Sequence, residues 1–353
     1  MSEAAPVAAG RWTRAEQARI SGIVAVVAAL HVAGWSLYLS YAHGIAGAGA
    51  FAGAGALAYG LGVRHAFDAD HIAAIDDTTR LMMQRGRRPV GVGFFFALGH
   101  STVVLALALV VAATAGAAGR GVETFRQVGS LLSQVVAMTF LLLVAVLNAL
   151  VLLGMLRLWR RLARGELAAA QLDRLLVNQG LLNRILGRRA RSLIRSSWHM
   201  YPLGILFGLG LETASEVTLL ALSASTAAAG GLPMLAVLTL PVLFAAGMTA
   251  CDTADSLLMS RAYSWAHRSP ARRLYYNAAT TGMTVVVAAF IGTVYLAGLV
   301  VDVTGAGGLL ASYAALSDHF EVLGYLTVGA FVTAWCAAAV VWRLSGLHER
   351  YRP

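Results

Sequence analysis

Residues 64–77 read Arg-His-Ala-Phe-Asp-Ala-Asp-His-Ile-Ala-Ala-Ile-Asp-Asp, a dense run of imidazoles and carboxylates inside an otherwise apolar chain. A charged side chain at bilayer depth costs on the order of 3 kcal/mol even on lenient insertion scales, so a cluster of them implies an ion or proton that offsets the cost. His65, Asp68, Asp70 and His71 offer imidazole nitrogens and carboxylate oxygens. That donor set suits nickel, cobalt and zinc, and does not suit magnesium or calcium; the lack of thiolates argues against copper(I). On a regular helix His65, Asp68 and His71 share a stripe about 120° wide, while Asp70 points roughly 140° from His65. One undistorted helix therefore cannot aim all four at one ion. Either Asp70 orients an imidazole from behind, or the helix is distorted, with Gly60 and Gly62 as the residues that would help it. Asp76, Asp77 and Arg80 read as polar residues of the helix end at the membrane interface.

Three further polar clusters sit in other apolar stretches. Gly99-His100-Ser101-Thr102 combines a site of close helix approach with a potential ligand in His100. Glu212 and Glu216 lie at i and i+4 on one helical face, and Gly204 and Gly208 before them form a small-residue packing face. Asp252 and Asp255 lie at i and i+3. Buried carboxylate pairs of this kind point to ion or proton handling, as a relay or as further ligands.

The elements that must position these groups follow from composition. Of 353 residues, 58% are hydrophobic and 12% charged, against about 25% charged in ordinary globular domains. This is the composition of an all-α, polytopic membrane helix bundle. Apolar stretches near the ~20 residues needed to cross a bilayer fall at 21–42, 49–63 with its polar continuation, 91–115, 130–156, 199–228, 232–258, 277–301 and 322–342, eight spans in all. The net charge of +10 comes from Arg, with no Lys in the chain. Arg residues gather before the first span, at Arg85, Arg87 and Arg88, between Arg157 and Arg195, at 261–273, and in the tail, whereas the alternate connections hold only Arg120 and Arg126. Under the positive-inside rule both termini are cytoplasmic, so the charge needs no nucleic acid partner. The expected organisation is a cytoplasmic segment 1–20, membrane helices 1–4 over 21–157, a basic connector 158–198 with amphipathic character around 166–186, membrane helices 5–8 over 199–343, and a cytoplasmic tail 344–353. The first apolar stretch follows a polar start without a small-residue cleavage site and is expected to stay as a span. Cys251 and Cys336 both fall inside spans, where they read as packing residues.

Arg64-His65-Ala66-Phe67-Asp68-Ala69-Asp70-His71-Ile72 resembles the second-helix motif of the nickel/cobalt transporter family, the single-component high-affinity permeases of bacteria and some fungi, which is built around His-x4-Asp-His. Leu98 to Val104, Leu209 to Glu216, and Gly247-Met248 leading to Asp252 and Asp255 are similar to that family's remaining motifs, in order. The resemblance implies eight membrane helices, a location in the bacterial cytoplasmic (inner) membrane, and transported Ni²⁺ or Co²⁺ with no bound cofactor. It departs from the family pattern in the fifth span, where Glu212 and Ser215 stand in place of Asp and Thr. It also implies that His31 and Phe67 bear on metal choice, in the manner of members that accept cobalt as well as nickel.

The expected activity is import of the divalent ion by alternating access, driven by membrane potential or a proton gradient. No G-x4-G-K-[ST] phosphate loop is present, and no ATPase subunit is required. The expected partners are the ion and the lipid bilayer; the residue types fix no oligomeric state. The alternatives are a metal exporter of related architecture and, in a different class, an integral-membrane metalloenzyme. Against the enzyme, the nine histidines form no clustered boxes and no His-Glu-x-x-His. Against the exporter, no His-rich tract is present.

Overall fold

The computed structural model describes residues 12–44, 51, 53–84, 87–114, 119–166, 196–209, 216, 218–219, 221–223, 233–265 and 270–344. Its helices are α1 (Arg14–Gly44), α2 (Ala54–His65), α3 (Ala69–Gln84), α4 (Val92–Thr114), α5 (Gly119–Ala163), α6 (Met200–Gly208), α7 (Met234–Trp265), α8 (Pro270–Thr304), α9 (Leu309–Ala314) and α10 (Phe320–Leu344). Short 3₁₀ turns at Ser197–His199 and Ala315–His319 lead into α6 and α10. The start of α1 is set by a reciprocal cap, in which the Thr13 N–H donates to Glu16 Oε2 at 2.8 Å and the Glu16 N–H donates to Thr13 Oγ1 at 3.3 Å.

Among the described residues, six segments are long and apolar enough to cross a membrane: 14–42, 92–110, 131–163, 234–261, 274–304 and 309–344. Large apolar side chains such as Val286, Val303, Leu326 and Val332 face outward, as lipid in place of water requires. This is a polytopic helical membrane protein. The two other expected spans, the second and the fifth, each carry a polar cluster, and neither is a single long described helix. The second divides into α2 and α3 around Ala66–Asp68. In the fifth, α6 ends at Gly208 and Glu216 is helical again, with 210–215 outside the described residues. The amphipathic stretch expected at 166–186 lies almost wholly outside them as well.

The packing that surrounds the polar residues is α2 and α4 against α7, and α4 against α6. Small residues make these crossings close. A Cβ on Gly62 would meet the Phe244 carbonyl of α7, and one on Gly247 would lie 2.7 Å from the Tyr59 carbonyl of α2. Gly99 and Gly204 form the matching pair between α4 and α6, facing the Tyr201 and Phe96 carbonyls respectively. Without a hydrophobic driving force between helices in lipid, such backbone approach is what supplies dispersion contact. Gly62 thus serves a helix crossing and is not the point of distortion; the helix breaks three residues later.

Asp76, Asp77 and Arg80 are not exposed helix-end residues but are buried in the bundle. Their exposures are 1%, 0% and 3%, and they form a buried polar layer between α3, α5 and α8. Arg80 Nη1 donates to Thr280 Oγ1 at 2.9 Å and Thr281 Oγ1 at 3.0 Å, the Thr284 hydroxyl donates to Asp76 at 3.0 Å, and Asn148 Nδ2 donates to Asp77 at 3.2 Å. The partners come from within the apolar spans of α5 and α8, since Asn148 lies in 131–163 and Thr280, Thr281 and Thr284 lie in 274–304, so these spans cover this part of α3.

Candidate metal site

The break between α2 and α3 builds the site. After His65 the chain makes i→i+3 bonds, with the Phe67 N–H donating to the Arg64 carbonyl at 3.0 Å and the Asp68 N–H to the His65 carbonyl at 2.9 Å. The Asp68 carbonyl then accepts from the Ile72 N–H at 3.2 Å and starts α3. This tightened turn resets the rotation of the chain, so that His65 at the end of α2 and His71 in the first turn of α3 face one another. Their ring centroids are 4.6 Å apart. His100 on α4 completes a near-equilateral triangle, at 4.7 Å from His65 and 4.9 Å from His71.

One ring nitrogen from each of the three histidines lies within 4.8 Å of the others, all three residues being buried. His65 Nε2 and His100 Nε2 are 3.1 Å apart. Two nitrogens about 2.1 Å from a common ion at cis positions would be separated by about 3 Å. Glu216 contributes Oε1 at 2.7 Å from His100 Nε2 and 3.9 Å from His65 Nε2. His71 Nε2 is buried and has no hydrogen-bond partner among the described residues. Phe96 and Phe244 wall the rings, at 4.8 Å from His71 and 5.5 Å from His65.

Carboxylates hold two imidazoles from behind. Asp68 Oδ2 is 2.9 Å from His65 Nδ1, and Asp252 Oδ2 on α7 is 3.2 Å from His71 Nδ1. An ionised carboxylate only accepts, so the Asp252 hydrogen bond favours the proton on His71 Nδ1 and leaves its Nε2 lone pair for the triangle, whereas Asp68 approaches His65 as an ion-pair contact whose Oδ2 makes no hydrogen bond among the described residues. The Asp252–His71 pair is the carboxylate–imidazole arrangement that raises ligand basicity and fixes the ring in metal sites.

The other expected site residues are elsewhere. Asp70 turns to α8: its Oδ2 accepts from the Tyr295 hydroxyl at 2.8 Å, and its Oδ1 accepts from the His71 backbone N–H at 2.9 Å. His31 on α1 donates Nδ1–H to the Val27 carbonyl at 2.8 Å and has Nε2 3.3 Å from the Tyr59 hydroxyl, outside the triangle. Asp255, one turn along α7 from Asp252, keeps a buried Oδ2 with no hydrogen-bond partner among the described residues. Glu212 lies outside the described residues. Asp252 and Asp255 are thus not paired at the triangle, where α7 brings Asp252 to His71 and Glu216 approaches His100 from another side. Tyr295 was missed. Its signal is a phenol in the middle of an apolar helix, where the hydroxyl needs a partner.

Known proteins resemble this chain along its length. A family described as high-affinity nickel-transport protein matches residues 51–341. The cobalt transport protein NhlF of Rhodococcus rhodochrous is 54% identical over 93% of this chain and 94% of its own. The nickel transporter NicT of Mycobacterium tuberculosis is 46% identical over 97% of this chain and 93% of its own. The high-affinity nickel-transport protein NixA of Helicobacter pylori is 40% identical over 83% of this chain and 89% of its own. No solved structure matches. The matched region contains all three histidines, Glu216 and Asp252, and the chain belongs to the high-affinity nickel-transport protein family.

Proposed function

We propose that this protein is a secondary transporter that imports Ni²⁺ and Co²⁺ across the bacterial cytoplasmic membrane, and that His65, His71 and His100 with Glu216 are the groups that bind the ion in transit. The observation that carries the reading is the buried imidazole triangle, with ring centroids 4.6–4.9 Å apart and two of its members backed by carboxylates. Three neutral imidazoles and a carboxylate form a borderline donor set that suits late first-row divalent ions. Relatives named for cobalt and for nickel both cover nearly all of this chain, which supports acceptance of both metals. The family is one of transporters, so the metalloenzyme alternative falls.

Energetics favour import without a nucleotide. A divalent ion moving inward gains about 2.3 kcal/mol per charge per 100 mV, roughly 4.6 kcal/mol in all, enough for more than a thousandfold accumulation. The ion loses water as it enters the triangle, and the imidazole nitrogens and Glu216 replace it. Alternating access then needs the elements flanking the triangle to part on one side at a time, and the short helices α2, α3 and α6 are the pieces with the least internal hydrogen bonding to resist it. The basic segments argue for cytoplasmic termini.

The test is uptake of radioactive nickel and cobalt at nanomolar concentration into cells making the wild type or His65→Ala, with and without a protonophore. Accumulation that requires both His65 and the membrane potential supports the reading. Faster loss of preloaded metal in wild-type cells would establish export instead.

A further inference from the structure

The helix break that aims His65 and His71 is held from the opposite side by one helix, α10. Arg64, the residue before His65, forms an ion pair with Glu321 in the first turn of α10. Gly324 lies against the Phe67 carbonyl so closely that a Cβ there would overlap it, and Phe67 packs on Tyr325 with ring centroids 5.4 Å apart. Phe320 packs on Tyr295 at 5.0 Å, and Tyr295 in turn donates to Asp70. Phe320, Glu321, Gly324 and Tyr325 fall at i, i+1, i+4 and i+5, a single stripe of α10. That stripe runs along the residues from Arg64 to Asp70, across the break at Ala66–Asp68.

The ion pair matters for charge as well as for shape. Arg64 carries a fixed positive charge one residue from His65, in a part-buried pair whose side chains are 42% and 26% exposed for Arg64 and Glu321. An uncompensated guanidinium there opposes the arrival of a divalent cation, and a carboxylate beside it cancels that field. Intramembrane ionisable residues are retained where they pair and serve function. We infer that Glu321 is a positioning residue for metal entry: it neutralises Arg64 and pins the α2–α3 break, so that the ion meets the histidine triangle without a repelling charge beside it. The inference rests on the transport reading above.

The experiment is the concentration dependence of radioactive nickel uptake in cells making the full chain, with the amount in the membrane measured for each variant. Glu321→Gln removes the charge and keeps the shape. It is expected to raise KM about tenfold, the order expected for one partly screened charge near a divalent ion, with the maximal rate per molecule within about twofold of wild type. Arg64→Gln combined with Glu321→Gln removes both charges and is expected to restore KM to within about threefold of wild type. A role limited to packing would not be rescued by deleting the partner. If Glu321→Gln alone fails to reach the membrane, recovery of both abundance and wild-type KM in the double variant supports the inference, and failure of the double variant to accumulate overturns it. An unchanged KM in Glu321→Gln, or a double variant no better than the single one, also overturns it. Wild-type uptake separates the two levels: an inert wild type sinks the transport reading and this inference with it, while an active wild type with an indifferent Glu321→Gln sinks only the inference.

Discussion

His71 and Asp252 meet across the α3–α7 interface, with Nδ1 and Oδ2 3.2 Å apart, although they are separated by 181 positions in sequence. The pair fixes which imidazole nitrogen faces His65 and His100. Neither residue achieves this alone: Asp252 reaches the site because Gly93 of α4 lets the α7 backbone come close at the Asp252 carbonyl.

Asp252→Asn tests that pairing. An amide can present its NH₂ to Nδ1 and reverse the tautomer, so the variant is expected to weaken metal affinity by about 10–100-fold while the protein still accumulates. Asp68→Asn, whose Oδ2 lies 2.9 Å from His65 Nδ1 without forming a hydrogen bond, is expected to show a smaller loss. Nickel titration of purified protein would check both, and unchanged affinity in both would show that the carboxylates do not orient the rings.

The glycine crossings give a structural prediction. Gly204→Leu places a branched side chain against the Phe96 carbonyl, and overpacking of this kind costs about 1–3 kcal/mol. It separates α6 from α4, which carries His100, so uptake should fall together with thermal stability. Gly22→Ala on α1, where a Cβ would meet nothing within 4 Å, should leave both unchanged. Thermal unfolding in detergent and uptake in cells read the two effects.

Tyr295→Phe removes one donor from Asp70 and leaves a buried carboxylate oxygen without it. The expected cost is about 1–3 kcal/mol of stability, with a smaller loss of metal affinity than in any histidine variant, because Asp70 faces α8 and not the triangle. Affinity as poor as that of His71→Ala would instead place Asp70 on the ion.

Arg80→Met should be the most destabilising of the set outside the triangle. It strips a guanidinium from a buried layer that also contains Asp76 and Asp77, and removing one partner from buried ionic groups costs about 3–5 kcal/mol. Loss of protein from the membrane, measured by immunoblotting, is the expected result.

Much of this was legible in the sequence because lipid makes polar residues conspicuous. The helical class, the positions of the long spans and the polar clusters follow from composition and from the cost of charge in a bilayer. Gly99 and Gly204 were legible as sites of close approach, and the structure puts each against a carbonyl of the facing helix. The wheel also set Asp70 apart from His65 and His71. A distorted helix was one of its two alternatives, but the place of the break after His65 was hidden, because Ala66-Phe67-Asp68 contains neither Gly nor Pro to mark one. Partners from distant elements were equally hidden. Nothing local to Asp70 points to Tyr295, and nothing local to Asp76 reports that Thr284 of α8 packs over it. The pairing of Glu216 with His100 and of Asp252 with His71 is likewise a property of helix crossings, which spacing within one helix cannot express.

The measurement that tests the central claim most directly is nickel X-ray absorption on purified protein loaded with one equivalent of Ni²⁺, in the wild type and in His100→Ala. The account predicts imidazole back-scattering from three rings at about 2.0–2.1 Å with an oxygen ligand beside them, reduced to two rings in His100→Ala. A nickel environment made only of oxygen ligands, or one unchanged by loss of His100, would contradict it.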